Sequence, residues 1–131
     1  MFRTGLILIC LASPAVADRF HAQATCGPTD MALRYACEIR LMQGNDAVEN
    51  ATFTVRPDMP SMPMAHNIPP VAAVATDTPG LYATEIEIEM LGDWTLTLDL
   101  SAPRRDRVVL RYLVEGTPEA HQTTDHSSQS D

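Results

Sequence analysis

Met59-Pro-Ser-Met-Pro-Met-Ala-His66 places three thioethers and one imidazole within eight residues of a 131-residue chain. Thioether sulfur is soft, uncharged at every pH and unable to donate a proton, so it favours Cu(I) and discriminates against magnesium, calcium and zinc. A neutral imidazole adds a stronger nitrogen donor near pH 7. Spacing limits how these donors act together. In an extended chain Met62, Met64 and His66 share one side but stand about 7 Å apart at roughly 3.3 Å per residue. Two ligands of one ion lie at most about 4.6 Å apart when each bond is about 2.3 Å. Pro60 and Pro63 favour polyproline geometry, in which residues three apart return to one edge and Met59 aligns with Met62. The expected site therefore takes two or three of Met59, Met62, Met64 and His66 from a curved loop, with Met90 as the candidate ligand from elsewhere. The competing reading makes the loop methionines an apolar plug over the open end of the fold. Met90, last in an alternating apolar series, then reads as a plain core residue.

The elements that must hold such a loop are strands. Leu33, Tyr35, Cys37, Ile39 and Leu41 alternate with Arg34, Glu38 and Arg40, the period of a half-buried strand over Ala32 to Met42. Gln43-Gly-Asn-Asp46 reads as a turn; Ala51, Phe53 and Val55 line the next inward face until Pro57 stops the pairing. Val71 to Ala75 is a short apolar strand, and Thr76-Asp-Thr-Pro-Gly80 turns the chain again. Tyr82, Thr84, Ile86, Ile88 and Met90 then alternate with Ala83, Glu85, Glu87 and Glu89. Those glutamates are too far apart along one strand for a single cation to bridge all three, so they read as a solvated face. Leu91-Gly92-Asp93 predicts a tight hairpin into Trp94, Leu96, Leu98 and Leu100, and Ala102 to Asp106 turns into Val108, Leu110, Tyr112 and Val114. No stretch carries helical spacing. Six to seven short strands joined by turns predict an all-β protein, an antiparallel β-sandwich.

The flanks read differently. Arg3, the apolar run Gly5 to Ala12 and Ala15-Val-Ala17 form a signal-peptide pattern with cleavage before Asp18. The run is shorter than the roughly 20 residues that span a bilayer, so the released protein is not membrane-anchored. Residues 18–115 form the expected domain. From Gly116 to Asp131 large apolar residues are almost absent, and a disordered polar tail is expected, with His121 and His126 as solvated spectators. Cys10 falls in the leader, leaving Cys26 and Cys37, which an exported chain is expected to pair as a disulfide. The formal charge of −8 argues against nucleic acid as a partner and is compatible with cations. No nucleophile and base pair, cofactor fingerprint or deep acidic pair points to an enzyme.

Gly80-Leu-Tyr82, Met90-Leu-Gly92-Asp-Trp94-Thr-Leu96, the Val55-Arg-Pro57 segment and the methionine-proline loop ending in His66 resemble the YtkA-like domain and, more distantly, FixH-like proteins. The resemblance covers about Ala32 to Val114 and implies an immunoglobulin-like sandwich exported across the inner membrane. YtkA-like proteins often occur near copper transport, and FixH-like proteins are tied to the maturation of copper-containing oxidases. FixH-like proteins keep an N-terminal membrane helix, for which the run here is too short. The expectation is a soluble periplasmic protein that buffers Cu(I), or hands it to a copper pump, oxidase or efflux component, through the Met/His loop. The alternative is a non-metal interaction or assembly module for a membrane complex, in a FixH-like role.

Overall fold

The computed structural model describes residues 18–65 and 67–115. The segments expected to be a signal peptide (residues 1–17) and a polar tail (residues 116–131, with His121 and His126), and His66, lie outside the described residues. The first sheet consists of β1 (Phe20–Pro28), β2 (Arg34–Gln43), β7 (Leu81–Glu87) and β6 (Val74–Ala75) in the order β1-β2-β7-β6, with β3 (Asp46–Ala47) paired to β2. The second has the order β5-β4-β8-β9, from β5 (Val71–Ala72), β4 (Thr52–Asp58), β8 (Gly92–Ala102) and β9 (Asp106–Val114). Every pairing is antiparallel. Read with β1 as strand A, the two sheets reproduce the A-B-E-D and C′-C-F-G orders of an immunoglobulin-like sandwich. Among the described residues six strands are full length and three are two-residue pieces.

Alternation builds the core. Ile39, Leu41, Val55, Tyr82, Ile86, Ile88, Trp94, Leu96 and Leu98 project between the sheets and are fully buried, each contributing on the order of 1.5–3 kcal/mol through its removal from water. Phe53 meets Tyr82 edge to face with ring centroids 4.9 Å apart. The Tyr82 hydroxyl, buried with them, donates to the Val48 carbonyl at 2.7 Å and accepts from the Ala51 N–H at 2.9 Å. That pairing pins the connection from β3 to β4 against the core.

The two open flanks of the sandwich are bridged differently. On one side, residues 71–75 pair with β4 and then with β7, so a single segment crosses from sheet to sheet. On the other, Tyr112 of β9 donates its hydroxyl proton to the Cys26 carbonyl at 2.9 Å and accepts from the Cys26 N–H at 3.1 Å. Cys26 lies directly opposite Cys37 in the β1–β2 register and is bonded to it, as expected from the cysteine count.

Several local expectations are corrected. Leu33 is half exposed in the turn before β2, with φ 64°, and does not belong to the core face. Pro57 does not stop the pairing: β4 continues to Asp58, opposite Thr95, and Pro57 faces Leu96. A proline is tolerated there because β5 covers only Thr54 and Val55, leaving that stretch of β4 as a sheet edge. Val71 to Ala75 is two short pieces in different sheets, not one strand. Leu91 to Asp93 makes no hairpin, since β7 and β8 belong to opposite sheets and the connection arches over the end of the core. Finally, β1 was not anticipated, because its inward series is Phe20, Ala22, Ala24 and Cys26, and small side chains give little contrast with their polar neighbours.

Candidate metal site

The methionine loop leaves β4 at Asp58 and immediately folds back. The Met62 N–H donates to the Met59 carbonyl at 3.0 Å, and the Ala65 N–H to the Met62 carbonyl at 3.2 Å. These are two successive four-residue turns, each with proline in the second position, where its fixed φ is favourable. Met64 takes the third position of the second turn at φ 67°, the place a type II turn normally gives to glycine. The prolines therefore act as turn formers, and the polyproline geometry that aligned Met59 with Met62 is replaced by a tighter curve.

The turns divide the candidate ligands. Met59 points into the core and is only 3% exposed, while Met62 is 42% exposed and Met64 95% exposed. Met90, expected to close the buried face of its strand, lies beyond the end of β7 and is 43% exposed. Ile88 is the last inward residue of that series, and the chain then leaves the sheet. The Trp94 indole N–H donates to the Met90 carbonyl at 2.9 Å. Gly92, at φ 133°, stands beside Met59: a Cβ there would lie 3.3 Å from the Met59 Cε.

Met59, Met62 and Met90 consequently line one groove of about 570 Å³ at the end of the sandwich, with Trp94, Asp93 and Arg111 also in its walls. Met64 is not among them. It lines a separate depression with Arg56, Asp58 and Asn67. Among the described residues no three His, Cys, Asp or Glu side chains come together as a ligand set; the soft residues that share this groove are methionines, Met59 buried and Met62 and Met90 part-exposed. A larger groove of about 850 Å³ crosses the outer face of the first sheet, where Ala36, Ala83 and Val74 are flanked by Glu38 and Glu85. Its sulfurs are those of Cys26 and Cys37, already bound to each other, so the smaller groove has the soft-donor chemistry.

Sequence reasoning found the methionines but not Asp93, Trp94 and Arg111 as their neighbours. The spacing Met90-x-Gly92-x-Trp94 was the available signal, because it marks where a buried strand face meets a connection that must turn sharply. The YtkA-like family model matches residues 30–99, more than half of the chain. The chain belongs to the YtkA-like family. In this YtkA-like domain the matched region contains the methionine loop, the arch and Trp94, whereas β9 with Arg111 falls beyond it. No curated protein and no solved structure matches the chain. Among the described residues no helix is long and apolar enough to cross a membrane.

Proposed function

We propose that this YtkA-like domain binds Cu(I) in the groove of Met59, Met62 and Met90, and stores the ion or passes it to a partner by ligand exchange. The observation that supports the reading is that three methionines, from two segments distant in sequence, line one groove. Uncharged soft donors match a monovalent soft ion and offer little to magnesium, calcium or zinc. Of the loop donors, His66 follows the second turn directly and is the nitrogen ligand we include, while Met64 is left out of the set. The leader-like N-terminus supports a periplasmic location, where oxidised thiols make methionine and histidine practical Cu(I) ligands. Its partner is then a copper pump, oxidase or efflux component. Binding and transfer require no catalytic step.

The test is competition for Cu(I) between the protein and a colorimetric chelator. The wild type is expected to retain about one equivalent, and Met62→Leu/Met90→Leu to bind at least about tenfold more weakly, or ~1.4 kcal/mol, with unchanged thermal unfolding. Met64→Leu should behave as the wild type. Equal affinity in the double variant would refute the assignment. Repeating the titration at pH 5.5 and 7.5 reports on His66: binding by thioethers alone is flat, whereas an imidazole ligand must be neutral, so protons compete with the ion and affinity falls on acidification.

A second reading has one observation in its favour. Leu91 lines the groove with Met62 and Met90, and Leu113, paired with the groove residue Asp93, is also exposed, giving this end of the sandwich an apolar rim. That rim suits an interaction or assembly module of FixH-like role. A protein that retains no Cu(I) yet co-purifies with a membrane complex through this end would favour it.

A further inference from the structure

We infer that Gly92 and Trp94 are positioning residues for the thioether site, so that the Met90-x-Gly92-x-Trp94 spacing encodes a donor, a gap and an anchor. The inference rests on the copper reading.

The anchor is Trp94. Its ring is only 1% exposed and lines the groove, and its N–H is bonded to the Met90 carbonyl four residues earlier. A buried indole N–H needs a partner, and here the partner is the backbone of a proposed ligand. Met90 lies in an inter-sheet arch, outside the ladder that ends at Glu87. The Trp94 bond therefore fixes the backbone from which the Met90 side chain reaches the groove. The same ring forms the groove wall, so one residue both holds the arch and shapes the space beside it.

The gap is Gly92. Its φ of 133° is one that side-chain-bearing residues rarely adopt, and the space its missing Cβ would approach is occupied by the Met59 methyl at 3.3 Å. With no side chain interposed, the arch and the methionine loop come into direct contact. Met59 and Met90 thereby border one groove although one follows β4 and the other lies in the connection between β7 and β8.

The test uses the full chain without its leader, titrated with Ag(I) as a redox-inert analogue of Cu(I) and with Cu(I) itself. Trp94→Phe keeps a buried aromatic ring but removes the N–H. It is expected to weaken binding of both ions about tenfold, while circular dichroism remains that of the wild type. A folded Trp94→Phe protein that binds as tightly as the wild type overturns the inference and leaves the copper reading standing. A wild type that binds neither ion overturns both.

Where Trp94→Phe fails to fold, the wild type decides. Trp94 is the chain's single tryptophan, so a 15N–1H correlation spectrum contains one indole resonance. That signal should shift on Ag(I) binding and stay fixed in Met62→Leu/Met90→Leu. Saturation with Ag(I) that leaves the indole signal unmoved overturns the positioning role.

Discussion

Met59 and Met64 belong to one short loop, yet burial separates them completely. Met59 is packed into the core with its methyl against Gly92, whereas Met64 stands in solvent on a left-handed backbone. Truncation should therefore have very different consequences. Met59→Ala is expected to cost about 2–4 kcal/mol, since it removes buried methylene and sulfur contacts and leaves a cavity beneath the groove. Met64→Ala should stay within about 0.5 kcal/mol of the wild type, as exposed sites generally do. Denaturant titration of the two variants checks both expectations, and similar losses would contradict the burial assigned to Met59. The density of methionines was legible in the sequence, but the direction of each side chain was not. Within consecutive turns neither a period of two nor one of three and a half applies, so Met59 inward and Met64 outward carry no pattern. Met90 was misread for the opposite reason: the alternation from Tyr82 to Ile88 is real, and the chain leaves its sheet just before that alternation would have buried Met90.

Elements were legible where large apolar residues recur at every second position, between charged or polar neighbours in β2, β7 and β8 and between a mixed set in β9. They were illegible where side chains are small, as in β1, or where a single apolar stretch serves two sheets, as in residues 71–75. Connections are harder still, because a glycine turn looks alike whether it joins neighbours in one sheet or crosses to the other. Gly92 illustrates the difficulty, and Gly80 shows what such a position requires. At φ 74° Gly80 occupies the left-handed region, and an added Cβ would come within 2.7 Å of the Ala47 Cβ and 3.2 Å of the Leu41 carbonyl oxygen. Its own carbonyl accepts from the Leu41 N–H at 2.8 Å, tying the start of β7 to β2. Gly80→Ala combines an unfavourable φ with a backbone collision, so a loss of about 2 kcal/mol or more is expected. Thermal unfolding measures it, and a neutral substitution would mean that the β2, β3 and β7 corner is free to shift.

At the scale of the whole molecule, the question is how an edge strand as long as β1 stays attached and whether its attachment reaches the groove. β1 is held by its ladder to β2, by the Cys26–Cys37 bond and by the Tyr112 hydroxyl from the opposite sheet. Arg104 adds a contact at the strand's beginning, its guanidinium 4.2 Å from the centre of the Phe20 ring. Cys26→Ala/Cys37→Ala removes the covalent tie and the packing of two sulfurs, Cys37 being buried, and should lower stability by at least about 3 kcal/mol, the loop-closure value for a short loop. Because β1 lies at the edge, the loss should be uneven: hydrogen exchange is expected to accelerate in β1 before it does so in β4 or β8. The groove, however, takes none of its lining from β1 or β2. Cu(I) affinity should therefore be unchanged in the double variant at temperatures where it remains folded. A protein that unfolds earlier yet binds as before would establish the disulfide as a staple of the scaffold alone; a parallel fall in affinity would instead mean that the seam between β1 and β9 transmits strain to the arch above Trp94.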